Sequence, residues 1–112
     1  MRTLVAAVLL SVSWFVHAHS PIMSTSPEKD ALVDTPPKTV TLNFKNKFRL
    51  TRVTSTHGSS DSVNLDTSHL TDFAKTFELP FVSMGVGQYR IEWRGLGSDG
   101  HAQSGAFKFT VK

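Results

Sequence analysis

Apolar and polar residues alternate along several short segments of the chain, a period of two that is typical of β-strands with one buried face. The run TVTLNF at 39–44 places an apolar residue at every second position. The run FRLTRV at 48–53 continues the pattern in a second predicted strand. Its phase breaks at Arg52 and Val53, which predicts a bulge or a strand end there.

Three further runs indicate strands. FELPF at 77–81 surrounds Pro80, which has no amide hydrogen and so suits an edge or an irregular position. The runs YRIEWR at 89–94 and FKFTV at 107–111 alternate regularly. The segment 66–75 is ambiguous between extended chain and a short helical turn. No long segment has a helical repeat.

Turn-forming residues separate these runs. Gly, Pro, Ser and Asp are concentrated at 24–38, 55–62 and 95–105. Short strands between such clusters predict an all-β fold, an antiparallel sandwich or barrel of about seven strands in one unit.

The amino-terminal segment differs from the rest. Arg2 precedes thirteen residues, 4–16, that form an apolar run, and Ala18 is a small residue of the kind a signal peptidase accepts. Thirteen residues are too few to cross a hydrocarbon core of about 30 Å as a helix. We therefore predict that residues 1–18 are a cleaved signal peptide, and that residues 19–112 form one exported domain without membrane insertion.

Composition limits the chemistry. The chain has no cysteine, which excludes thiolate metal sites, iron–sulfur clusters and cysteine nucleophiles. The net charge is only +3. Lys45, Lys47 and Arg49 alternate along a predicted strand, which fits either an anionic partner or charges that keep a sheet edge soluble. We favour the second interpretation and predict no nucleic-acid partner.

Cleavage after Ala18 would make His19 the first residue of the mature chain. Its α-amine and its imidazole Nδ1 could then bind the same ion in a six-membered chelate ring. The α-amine titrates near pH 7.7–8.0, so its deprotonation for metal binding costs little at neutral pH. One extra residue before His19 would abolish this arrangement.

A second candidate is the sequence SDGHAQSG, in which Asp99 and His101 are two residues apart. In an extended segment such residues face the same way, so a carboxylate and an imidazole can converge on one point. Asp before Gly is also ordinary turn chemistry, so the triplet alone is a weak signal. Together with His19 it supplies three nitrogens and one oxygen, a set suited to a tetragonal cupric ion.

The chain from residue 19 onward resembles the CopC family of periplasmic copper-binding proteins. It has the initial histidine, a Ser26-Pro27 turn and the strand TVTLNF. The specific part is GQYRIEWRGLGSDGHAQSGAFKFTVK at 87–112, which is similar to the closing strands and Ser-Asp-x-His loop of the family.

This resemblance implies a cupredoxin-like or immunoglobulin-like Greek-key β-barrel with its first residue near the loop before the last strand. It also implies that His19, Asp99 and His101 bind one Cu(II) per chain. The expected function is a monomeric, non-catalytic periplasmic carrier that sequesters copper or delivers it to an inner-membrane copper transporter.

Two departures from the family are visible. Many members have an acidic residue where this chain has Asn46. Some members also have a methionine-rich loop for cuprous ion, but 52–70 contains no methionine, so we predict one cupric and no cuprous site. His57 and His69 fall in polar segments and are expected to be solvent-exposed, with a weak metal contact as the alternative for His57.

Two other functions are compatible with parts of the sequence. A small oxidative copper enzyme acting on a polysaccharide could also bind copper through an amino-terminal histidine. Asp99 would then occupy the position on the copper ion that oxygen needs. A plain adhesive β-sandwich would bind no metal tightly and leaves the pairing of His19 with the Asp99–His101 loop unexplained.

Overall fold

A computed structural model describes residues 21–112, and strands connected by turns account for their regular structure. The strands are β1 Ile22–Ser26, β2 Leu32–Val33, β3 Thr39–His57, β4 Val63–Asn64, β5 Ala74–Pro80, β6 Gly87–Gly97 and β7 Ala102–Val111. The predicted all-β fold of about seven strands is therefore confirmed. Within residues 21–112 no helix is long and apolar enough to span a bilayer.

The longest strand, β3, joins the two halves of a single curled sheet. Its first part pairs with β1 and β5, and its second part pairs with β4 and β6. β6 then pairs with β7, and β7 pairs in parallel with the short β2. Because β3 passes from one half to the other, the apolar faces of both halves enclose one core.

The division of 39–53 into two strands was wrong, since Thr39–His57 is continuous. Its polar stretch at 45–47 marks the passage between the two halves of the sheet and does not end the strand. The break in alternation at Arg52 does reflect an irregularity: the register with β6 shifts between Leu50 and Arg52. The bulge predicted there is confirmed.

Aromatic side chains dominate the core. Phe44 and Phe48 stack with ring centroids 4.2 Å apart, and the Trp93 indole meets both edge-on at 5.3 and 5.5 Å. Each of these rings is at most 2% exposed. Such pairs contribute about 0.5–1.5 kcal/mol each beyond their buried area. They therefore hold the two halves together where β3 changes partners, without any disulfide.

Much of the segment 95–105 is strand, although its glycines indicated a turn region, because β6 continues to Gly97 and β7 begins at Ala102. Gly105 lies opposite Trp93 in the sheet, and a Cβ at Gly105 would overlap the indole. Gly95 likewise leaves room for the Phe48 ring and for the backbone oxygen of Arg49. Glycine is needed at both strand positions because an aromatic ring fills the space of a side chain.

Other parts of the prediction have mixed outcomes. Among the described strands β5 pairs only with β3, and it ends at Pro80, which confirms an edge position for that proline. Strands β1 and β2 lie partly in the segment 24–38, which was expected to be turns. The ambiguous segment 66–75 holds a turn closed by a hydrogen bond from Leu70 N to Thr67 O, and no helix.

Candidate metal centre

Asp99 and His101 lie in the tight turn that connects β6 to β7. Gly97 N donates to His101 O, and Gly100 N donates to Gly97 O, both at 2.9 Å. Gly100 has a φ of 82°, in the region that favours glycine. The backbone of this turn is thus fixed by its own hydrogen bonds, with a glycine between the two candidate ligands.

The two side chains converge, as the Asp-x-His spacing predicts. Asp99 Oδ1 accepts a hydrogen bond from His101 N at 3.0 Å, and Asp99 Oδ2 is 2.8 Å from His101 Nδ1. An ionised carboxylate only accepts hydrogen bonds, so Nδ1 is the donor. This leaves Nε2 as the nitrogen with a free lone pair when the imidazole is neutral, which is the form that binds metals.

Electrostatics favour a charged carboxylate at this position. The backbone hydrogen bond from His101 and then its side-chain hydrogen bond lower the pKa of Asp99 below its usual value. The side chains of His101 and Asp99 are 82% and 59% exposed. Asp99 is therefore ionised at neutral pH, and both groups are accessible to an ion from solvent.

The first described residue lies beside this turn. Pro21 and Asp99 line the same depression of about 180 Å³, together with Asn46, Phe48 and other residues of β3 and β7. Pro21 O accepts a hydrogen bond from Lys45 N at 2.9 Å, which ties the start of the described chain to β3. His19, the third predicted ligand, lies outside the described residues, as do the predicted signal peptide and its cleavage site.

Asn46 lies in the wall of this depression. Its amide can donate or accept a hydrogen bond there but adds no charge. Between residues 21 and 112, no group of three or more histidine and carboxylate side chains is arranged to hold a metal. The described chain alone contributes two candidate ligands, Asp99 and His101.

Gln103 and Gly97 were not singled out in the sequence, although both contact this site. Both line the depression, and a Cβ at Gly97 would come within 3.0 Å of Asp99 Oδ1 and 2.9 Å of Gln103 Nε2. Gln103 is half-buried between the exposed Ala102 and Ser104 at the start of β7. Gly97 lies two residues before Asp99, and Gln103 lies two residues after His101. This spacing is the only sequence signal that could have identified them.

His57 lies at the other end of the sheet, at the end of β3 and opposite Tyr89. It was expected to be solvent-exposed, but it is half-buried and is the last residue of a strand. Its ring stacks on Tyr89 at 4.6 Å, and its Nε2 is 2.7 Å from Val86 O. Tyr89 and Gly97 are eight residues apart along β6, about 27 Å at roughly 3.4 Å per residue, so His57 is remote from Asp99.

His69 is exposed, as predicted, and lies in the turn region before β5. Its Nε2 is 3.1 Å from Glu78 O, on the edge strand. Both remaining histidines therefore have a structural partner of their own within the described chain.

The curled, mostly antiparallel sheet and its carboxylate–imidazole turn define a small β-barrel or β-sandwich fold. Comparison with known families identifies it further: the model of the CopC domain matches residues 22–112. The chain belongs to the CopC family, as the resemblance in its sequence indicated.

Relatives with known structures or curated descriptions agree with this assignment. The chain is 29% identical to copper resistance protein C of Escherichia coli, over 97% of this chain and 94% of that protein. The crystal structure of CopC from Methylosinus trichosporium OB3b matches with a TM-score of 0.69 and 25% identity, covering 84% of this chain and 94% of that one. PcoC, a methionine-rich copper resistance protein from E. coli, matches with a TM-score of 0.58 and 28% identity, covering 85% and 100%.

Proposed function

We propose that this protein is a periplasmic, non-catalytic Cu(II)-binding protein that sequesters copper or delivers it to an inner-membrane transporter. In this proposal residues 1–18 are removed after export, and the mature chain is a monomer that begins at His19. One Cu(II) ion is bound by the α-amine and Nδ1 of His19, by Asp99 and by His101.

The position of Pro21 is the observation that carries this proposal. Pro21 shares a depression with Asp99 and is hydrogen-bonded to β3. Consecutive residues span at most about 3.6 Å each, so the Cα of residue 19 is within about 7 Å of the Cα of Pro21. A residue two positions before Pro21 can therefore reach the Asp99–His101 turn, which supports His19 as a ligand in this proposal.

The donor chemistry supports copper as the cargo. Three nitrogens and one carboxylate oxygen suit a tetragonal cupric ion, which also heads the affinity order among divalent first-row metals. The relatives named above are copper resistance proteins. If protein atoms fill all four equatorial positions, no equatorial position is left for a substrate, which favours storage or transfer over catalysis.

The mass of the intact exported protein, measured with and without one equivalent of Cu(II), tests this proposal. The expected result is a chain that begins at His19 and takes up one copper ion. A matched control is residues 19–112 with one glycine added before His19, which keeps every side chain but converts the α-amine into an amide. This control should lose most of its cupric affinity, and unchanged affinity would disprove the amino-terminal site.

A further inference from the structure

One outer face of the sheet carries a concentration of positive charge. Residues directly opposite each other in paired antiparallel strands project to the same face. Arg52 of β3 lies opposite Arg94 of β6, and Arg90 of β6 lies opposite Lys108 of β7. Arg49, opposite Leu96, extends this row. We call these five cationic residues the basic face.

Little on the sheet neutralises the basic face. Glu92 is the one carboxylate at these paired positions, and it forms an ion pair with Arg90 at 2.8 Å. Arg52 Nε donates to the uncharged Asn64 Oδ1 at 3.2 Å. Among the ion pairs of residues 21–112, none involves Arg49, Arg94 or Lys108. Like charges placed directly opposite each other destabilise a sheet, so this arrangement has a cost to the isolated fold.

The other half of the sheet has fewer charges at its paired positions. There, Thr39 lies opposite Pro80, Thr41 opposite Glu78 and Asn43 opposite Thr76. Of the residues in these three pairs, only Glu78 carries a charge. Among these paired positions, the cations thus lie where β3, β6 and β7 pair with one another.

We propose that the basic face docks an acidic segment of a partner protein. Four of its five cations are arginines, whose planar guanidinium groups bind carboxylates through two parallel hydrogen bonds. Rows of guanidinium groups on neighbouring strands offer several such contacts to one extended acidic chain. Complementary charge of this kind mainly speeds encounter and selects the partner.

An anionic bilayer fits these observations less well. Surface binding to a bilayer usually combines basic residues with apolar side chains that enter the acyl region. The large exposed apolar side chains lie largely elsewhere: Met23 is on β1, and Val82, Met84 and Val86 lie between β5 and β6. Phe73 directly precedes β5, and Leu32, opposite Thr110, lies at the margin of the basic face.

The basic face ends at the candidate metal centre. Leu96 pairs with Ala102, the residue after His101. A partner bound there would lie next to this turn. Under the proposed function, such a partner would be placed for copper transfer. The docking itself requires no metal, and it can be tested on the copper-free protein.

The test is binding of a fluorescent poly-glutamate peptide to the copper-free mature protein, followed by fluorescence anisotropy at increasing salt concentration. We expect binding that weakens as salt is added, because exposed charges are screened. Arg94→Glu should weaken it about tenfold or more. Lys75→Glu, which makes the same change in net charge on β5, should change it by no more than roughly twofold.

In Arg94→Glu the like-charge pair of Arg52 and Arg94 becomes an opposite-charge pair. We therefore expect this variant to fold, and a thermal melt checks this. Equal effects of Arg94→Glu and Lys75→Glu would overturn the proposal, since binding would then depend on net charge alone. Absence of peptide binding would also overturn it. Vesicles of phosphatidylcholine with phosphatidylglycerol are the parallel probe, and binding to them without peptide binding would assign the face to a membrane instead.

Discussion

His101 Nδ1 and Asp99 Oδ2 are 2.8 Å apart, in a turn with a single glycine between the two residues. This contact fixes the imidazole tautomer with its proton on Nδ1, because the carboxylate can only accept. Metal-binding histidines commonly donate their second N–H to a carboxylate in this way, which orients the ring and raises its basicity. Asp99 can therefore help His101 bind a cation in addition to any direct contact with the ion.

Asp99→Asn should lower the affinity for Cu(II) by at least about 10–100-fold, the usual effect of losing a partner that orients a ligand, because Asp99 is also a proposed ligand. The amide removes the negative charge and no longer specifies which imidazole nitrogen is protonated. Competition against a chelator of known affinity measures the change. Asp61→Asn, a substitution of the same kind in the loop after β3, is the control and should have wild-type affinity. Wild-type affinity in Asp99→Asn would exclude this residue from the site.

Most of the fold could be predicted from alternation because a half-buried strand requires it. Tyr89, Ile91 and Trp93 are buried while their neighbours are exposed, as the pattern of β6 predicts. Alternation fails where β3 passes from one half of the sheet to the other, and this is why β3 looked like two strands. It fails again at Gly95 and Gly105, because there the buried group is an aromatic ring from the neighbouring strand.

The candidate site could be predicted only in part. The convergence of Asp99 and His101 follows from local chain geometry, so their spacing was sufficient. The approach of Pro21 to the same turn depends on the pairing of β1 with β3, a contact between distant parts of the sequence. No local pattern contains that information, and the family resemblance was needed to expect it.

Gly105→Ala should destabilise the protein by about 1–3 kcal/mol, the usual cost of adding a methyl group to a filled core. The new Cβ would overlap the Trp93 indole, which packs against Phe44 and Phe48. Chemical denaturation measures the loss. Ser104→Ala, at the exposed neighbouring position, should change stability little. Equal stability of Gly105→Ala and the wild type would show that the indole can move away at no cost.

Tyr89→Phe should also lower stability, by about 1–3 kcal/mol, because it leaves two backbone groups without their partner. The fully buried Tyr89 donates its hydroxyl to Gly85 O at 2.6 Å and accepts from Met84 N at 2.8 Å. Faster amide exchange at Met84 should accompany the loss. Ser83→Ala, which removes only a 3.3 Å contact to Gly85 N, should have a smaller effect. Unchanged exchange at Met84 would contradict a role for the hydroxyl in holding this loop.

Asp66→Asn should lower stability near neutral pH and have a progressively smaller effect in acid. The hydroxyl of Ser68 at 2.6 Å and then its backbone N–H at 2.9 Å lower the pKa of Asp66 below its usual value of 3.8. A carboxylate with a lowered folded-state pKa stabilises the fold above the unfolded value, and this contribution is lost as pH falls through the folded value.

Thermal melts of wild-type and Asp66→Asn protein, compared across this acidic range, measure the effect. The difference in melting temperature should be constant above the usual pKa of 3.8 and should shrink below it. Asp72→Asn is the matched control, because the side chain of Asp72 has no hydrogen bond in the described part of the chain. A difference between wild type and Asp66→Asn that stays the same at every pH would show that the Ser68 contacts do not depend on the charge of Asp66.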